Sequence, residues 1–166
     1  GKIKRNIQVS FKFSKRSLDR LKGVHPKLVE VAKMAIKTTD VDFGITCGTR
    51  TMAEQKKLKA AGRSWTLNSK HLKQEDGFSH ALDLVAYVDG EVCWEEAVYE
   101  RLGDHILKAA KHVDVPLRWG GGWHLFDARG RNSCEELYME YCRLRTQAGR
   151  KISTDMPHWE IGREDD

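Results

Sequence analysis

The stretch SKHLKQEDGFSHALDL, residues 69–84, sets His71, His80 and several carboxylates just ahead of an alternating apolar run. Near the C-terminus TDMPHWEI, residues 154–161, again brings a carboxylate, Asp155, close to an imidazole, His158. These are the ligand types of hydrolytic zinc, which generally takes three protein ligands and keeps one position for water. Strand geometry separates the candidates. Side chains alternate across a strand, so His80 and Asp83, three apart, point to opposite faces and should not share an ion. His71 lies in the preceding loop, from where it can fold back over the strand to meet Asp83. His158, in a strand-like run, is the candidate third ligand. Asp155 just before it is stiffened by Pro157, and a carboxylate beside a metal centre can act as general base and then general acid. The plainer alternative, a turn aspartate and an edge-strand histidine, stays open at this point.

Seven histidines are too many for one centre. His25, His105 and His112 lie in or beside helices with no partner pattern and read as surface, capping or core residues. His124 follows a glycine run and is a candidate wall of the cleft. The cysteines at 47, 93, 134 and 142 form no CxxC pair, which argues against a closed thiolate site; they read as reduced, small buried hydrophobes. A formal charge of +5 and a pI near 9.0 favour anionic partners, among them nucleic acid, membrane surfaces and wall polymers. With 24 acidic against 29 basic residues, the excess does not choose among these.

The elements that must position these residues fit one α+β domain spanning 1–166. Ser14 caps a short helix ending at Gly23, and Pro26 opens a second in which Leu28, Val31, Ala32, Ala35 and Ile36 recur at helical spacing. VDFGITC, 41–47, reads as a strand, and a turn at Gly48 leads through Arg50 into a helix that Gly62 closes. A polar loop over 63–77 precedes the strand HALDLVAYV, with Ala81, Asp83, Val85 and Tyr87 on one face and a turn at Asp89-Gly90. A helix from Glu95 to Lys111, a strand PLRW entering Gly120–Gly122, and a last strand MPHWEI follow. Between these last two strands, Asn132 with Glu135 predicts a capping box for a helix carrying Leu137, Tyr141 and Leu144, stopped at Gly149. No stretch approaches the roughly 20 apolar residues that span a bilayer, and GKIKRNIQVSFKFSKRS lacks the apolar segment of a signal peptide.

SKH followed by ALD, then LRWGGGW, then DMPHWE, in this order, resembles the zinc-dependent peptidoglycan peptidases of the D-Ala-D-Ala carboxypeptidase and L-alanyl-D-glutamate endopeptidase group, bacteriophage endolysins above all. The N-terminal FKFSKRSLDRLKGVHPKLVEVAKMAI and the DFGITCGTRTMAEQ turn are similar to the same endolysins, so the likeness covers nearly the whole chain. The resemblance implies a small antiparallel sheet carrying the zinc site between flanking helices. It further implies Zn2+ held by His71, Asp83 and His158, with Asp155 as catalytic acid/base. It suggests Arg50 for the anionic intermediate or a substrate carboxylate, and Ser69 and Gln55 for contacts with substrate or with the groups around it.

The implied partner is bacterial peptidoglycan, cut between L-alanine and D-glutamate, with basic surface touching anionic envelope polymers and neither nucleic-acid binding nor stable membrane insertion. An enzyme of this kind is a monomer made in the host cytoplasm that reaches the wall at lysis. D-Ala-D-Ala dipeptidase or carboxypeptidase activity, or a zinc-containing wall-binding module without catalysis, are the rival readings. Two departures from the family pattern stand out. Eleven residues separate His71 from Asp83 where relatives usually have six, the surplus KQEDG reading as a lengthened hairpin tip. The segment 128–154 reads as a helical insertion, and Gly122 stands where relatives often carry Asp.

Overall fold

The computed structural model describes residues 10–164, so the basic N-terminal stretch 1–9 considered above lies outside the described residues. In chain order the elements are α1 (Lys15–Arg20), α2 (Pro26–Thr38), β1 (Asp42–Cys47), α3 (Met52–Ala60), β2 (Ala81–Val88) and β3 (Glu91–Cys93). Then come α4 (Glu96–Val113), β4 (Leu117–Trp119), α5 (Cys134–Gln147) and β5 (His158–Ile161).

Local chemistry accounts for most boundaries. Ser14 accepts from the Ser17 amide to start α1, and Gly23 leaves the helical path at φ +81°. His25 is itself the N-cap of α2, its Nδ1 accepting from the Lys27 amide at 3.1 Å, with Pro26 in the first turn. Thr51 and Glu54 form a reciprocal capping box at α3. The cap of α5 is not Asn132: Ser133 accepts from the Glu136 amide at 3.2 Å, one residue later than the sequence pattern predicts. A serine hydroxyl and an asparagine amide both cap well, and tertiary packing of Cys134 and Leu137 sets the register.

All strand pairs are antiparallel, in the order β1-β2-β5-β4, and β3 also pairs with β2. Strand β3 is missing from the sequence reading because three residues are too few for a periodicity. Its turn, however, is legible: Asp89 and Gly90 both have positive φ, 51° and 80°, as a two-residue hairpin needs. Helices α2 and α4 pack together over the sheet, enclosing Leu28, Val31, Phe43, Ile45, Leu84, Leu102 and Leu107. Helix α5 packs on α4 through buried Cys134 and Leu137. Trp119 and Trp159 stack with centroids 5.7 Å apart, and the Trp119 indole N–H donates to the Met156 carbonyl at 2.8 Å. That bond ties the segment before β5 to the core. Among the described residues no helix is long and apolar enough to cross a membrane.

Candidate metal centre and active site

Asp83 on β2 lies directly opposite His158 on β5, so strand register delivers these two side chains to one place. His158 Nδ1 is 2.9 Å from Asp83 Oδ1, and His158 Nε2 is 2.8 Å from Oε1 of buried Glu160. A proton on Nε2 donated to Glu160 leaves the Nδ1 lone pair facing Asp83.

His71 arrives from the loop. Its amide donates to Ser69 Oγ at 3.1 Å, its carbonyl accepts from the Arg50 amide at 2.8 Å, and the His80 amide donates to the Lys70 carbonyl at 2.8 Å. The segment between them, expected as a lengthened hairpin tip, is a loop of turns without strands, in which the Gln74 amide donates to the Phe78 carbonyl at 2.8 Å. His71 Nδ1 is bound to the Gly48 carbonyl at 2.7 Å, which fixes the proton there and leaves Nε2 as an acceptor. That Nε2 is 3.2 Å from Asp83 Oδ2, yet it is buried and makes no hydrogen bond. A buried, unsatisfied nitrogen is costly unless something else binds it. Two overlapping sets of side chains lie close enough to hold one ion, Cys47, His71 and Asp83 on one side and Asp83, Asp155 and His158 on the other, and Asp83, shared by both, faces His71 Nε2 and His158 Nδ1; nitrogen and oxygen donors of this kind fit a divalent ion such as zinc.

His80 is engaged elsewhere: it sits just before β2, and its Nε2 lies 2.7 Å from Asp76. His105 pairs with Asp40, and His112 is exposed. His124, expected as a candidate cleft wall, binds Glu140 at 2.8 Å and stacks on Tyr141 of α5. The ring that does face the centre is the neighbouring Trp123, its centroid 5.5 Å from that of His158. Nothing in the glycine run distinguished the two beforehand.

The cysteines need correction. Only Cys134 is buried; Cys47, Cys93 and Cys142 are half-buried, and all are free. Cys47 belongs to the site, since a β-bulge in β1 places it opposite Asp83. Its Sγ lies 3.6 Å from His71 Nδ1, the nitrogen also engaged by Gly48, and Cys47 is close enough to His71 and Asp83 to be a further candidate donor.

Asp155 stands beside the pair, with a carboxylate oxygen within 4.8 Å of the ligand atoms of Asp83 and His158. Its amide donates to the Gly120 carbonyl at 2.8 Å, and its carbonyl accepts from the His158 amide at 3.0 Å. A Cβ on Gly120 would lie 2.0 Å from the Asp155 carbonyl oxygen, so this approach requires glycine. Arg50 donates to Gln55 Oε1 at 2.7 Å and to Cys47 Sγ at 3.4 Å. Gln55 is fully buried and spends its amide N–H groups on Ser64 Oγ and the Thr66 carbonyl. Gln55 thus holds Arg50, and Ser69 holds the His71 backbone.

The electrostatics follow from this crowding. Burial would push His71 down, but Asp83 and Cys47 outweigh it and raise it to about 10, so without a cation between them Nε2 carries a proton towards Asp83, and a bound cation would displace that proton and take the lone pair of the neutral ring. Burial opposes His158 likewise, and Asp83 with Glu160 raises it to about 9. Burial would raise Asp83, yet His158 and His71 hold it far below the usual carboxylate range. Asp155 is raised, first by burial of its carboxyl and then by the Asp83 charge, although the residue as a whole remains exposed.

The profile of the phage L-alanyl-D-glutamate peptidases matches residues 9–137. The match covers His71, Asp83 and Arg50 and stops before Asp155 and His158. The chain is 31% identical over 117 residues to the L-alanyl-D-glutamate peptidase of Escherichia phage T5, which covers 70% of this chain and 84% of that relative. The fold resembles the crystal structure of Serratia marcescens L-Ala D-Glu endopeptidase ChiX, with a TM-score of 0.68 at 30% identity over 94% of this chain and 93% of that one.

Proposed function

The chain belongs to the phage L-alanyl-D-glutamate peptidase family, and from that premise we propose that it is a zinc endopeptidase cutting the L-alanyl-D-glutamate bond of peptidoglycan stem peptides. The observation that carries this reading is the buried, unbonded His71 Nε2 aimed at the same Asp83 carboxylate that His158 Nδ1 faces. Zinc held by His71, Asp83 and His158 would polarise the scissile carbonyl and acidify a water molecule.

Asp155, beside Asp83 and His158, would hold the proton taken from the attacking water and pass it to the leaving amine. Its raised carboxyl suits both halves of this task, since a base whose conjugate acid is too strong cannot serve as proton donor later. Arg50, fixed by Gln55, faces either the negative charge developing on the carbonyl oxygen or a carboxylate of the substrate. Glu160 keeps the His158 proton on Nε2, and Ser69 orients His71. A net charge of +5 suits adhesion to an anionic envelope, and the chain acts as a monomer on the wall at host lysis.

Mass spectrometry of purified muropeptides tests the reading. Zinc-loaded protein should separate L-alanine from D-glutamate, and a chelator should stop it. Release of D-alanine would instead assign the dipeptidase or carboxypeptidase specificity.

A further inference from the structure

Strands β3 and β5 lie along the same edge of β2, β3 pairing with Ala86–Val88 and β5 with Ala81–Asp83. Where they meet, the Leu84 amide donates to the Pro157 carbonyl at 3.0 Å. A cleft of about 200 Å³ opens at this junction, lined by Trp94, Glu96 and Tyr99 on one side and Thr154, Asp155 and Pro157 on the other. It adjoins the residue assigned to proton transfer. Its volume is below the roughly 300–1,000 Å³ of sites that enclose a whole small ligand, so it suits one side chain.

The Trp94 wall is built, not incidental. The indole stacks on Tyr99 with centroids 5.9 Å apart and planes 3° from parallel, while 63% of the residue stays exposed. Tyr99 is fixed underneath, its hydroxyl donating to the Cys93 carbonyl at 2.9 Å and accepting from the Ala86 amide at 3.0 Å. The fixed platform presents an aromatic face to solvent beside a catalytic carboxylate. The charge around it has one sign: the lining holds Glu96 and Asp155 and no lysine or arginine, and Glu95 is adjacent. The start of α4 contributes roughly half a positive charge, which the two glutamates exceed. A cleft lined by both an exposed aromatic ring and carboxylates, with no competing cation, is a receptor for a cation.

We propose that this cleft is a subsite for a primary ammonium on the substrate, the side-chain amine of the stem peptide's diamino acid, held between the Trp94 indole and the Glu96 carboxylate. The proposal rests on the peptidase reading above and adds specificity to it. Two synthetic stem peptides test it, identical except that the diamino acid's side-chain amine is free in one and acetylated in the other. The wild-type protein should favour the free amine by about tenfold in kcat/KM, chiefly through KM. Glu96→Gln, which keeps size and removes charge, should bring that ratio close to one, and Trp94→Ala should lower it independently. A wild-type ratio of one, or a ratio that both variants leave intact, overturns the subsite while leaving the peptidase assignment standing. Cleavage of neither peptide by the wild type would overturn the peptidase reading itself, and the subsite with it.

Discussion

Asp83 and His158 are direct cross-strand partners, 2.9 Å apart through Oδ1 and Nδ1, while the second oxygen of Asp83 faces His71 at 3.2 Å. One carboxylate thus joins two imidazoles that are 87 residues apart in the chain, as 158 − 71 gives. Cys47 on the His71 side and Asp155 on the His158 side complete the cluster around this carboxylate.

Asp155 stands next to Asp83 and His158 and is proposed as the proton carrier and not as a ligand. Asp155→Ala should keep metal content near that of the wild type while kcat falls by about 10²–10⁴. Metal analysis together with turnover on muropeptides checks both halves, and an active variant would remove the acid/base assignment.

Glu160 orients His158 from behind. Glu160→Ala should weaken metal affinity by roughly 10–100-fold, and Glu160→Gln, which retains an acceptor oxygen, should lose less. Competition against a chromophoric chelator measures this without reference to activity. Equal affinity in all three proteins would show that the 2.8 Å contact does not set the ligand.

Gly120 admits the Asp155 backbone at a distance no side chain tolerates. Gly120→Ala should destabilise the protein by about 1–3 kcal/mol, as overpacking does, and depress turnover further than the stability loss explains. Thermal melts and kcat on the same preparation separate the two effects.

Asp40 links the end of α2 to α4, where Arg101 Nε and His105 Nε2 both lie 2.9 Å from its carboxylate. Arg101 foremost, against some burial, lowers its carboxyl from 3.8 to about 2. A carboxyl depressed in the folded state contributes stability that is present above about pH 4 and lost as pH falls towards 2. The side chain is 47% exposed, so screening keeps the contribution below about 1 kcal/mol. Asp40→Asn should therefore melt slightly lower than the wild type at pH 6, and the difference should vanish near pH 2.

The sequence carries the site unevenly, for physical reasons. Alternation along β2 separates His80 from Asp83 on residue spacing alone, whereas the polar segment between His71 and Asp83, read as a hairpin tip, folds as a loop of turns without strands. What spacing does not carry is the set of supporting contacts. Cys47 enters the site through a bulge, and a one-residue slip in register has no signature in composition. Gln55 looks like any polar helix residue until its burial against Arg50 is seen. Trp123 and His124 are adjacent, and only the path of the chain after Gly122 turns the indole towards His158 and the imidazole towards Glu140.

The most direct measurement is anomalous diffraction at the zinc edge from zinc-loaded crystals. The account predicts one peak within about 2.0–2.2 Å of His71 Nε2, an Asp83 oxygen and His158 Nδ1. A peak bonded to Cys47, His71 and Asp83 but not His158, or full lytic turnover by protein verified free of metal, would contradict it.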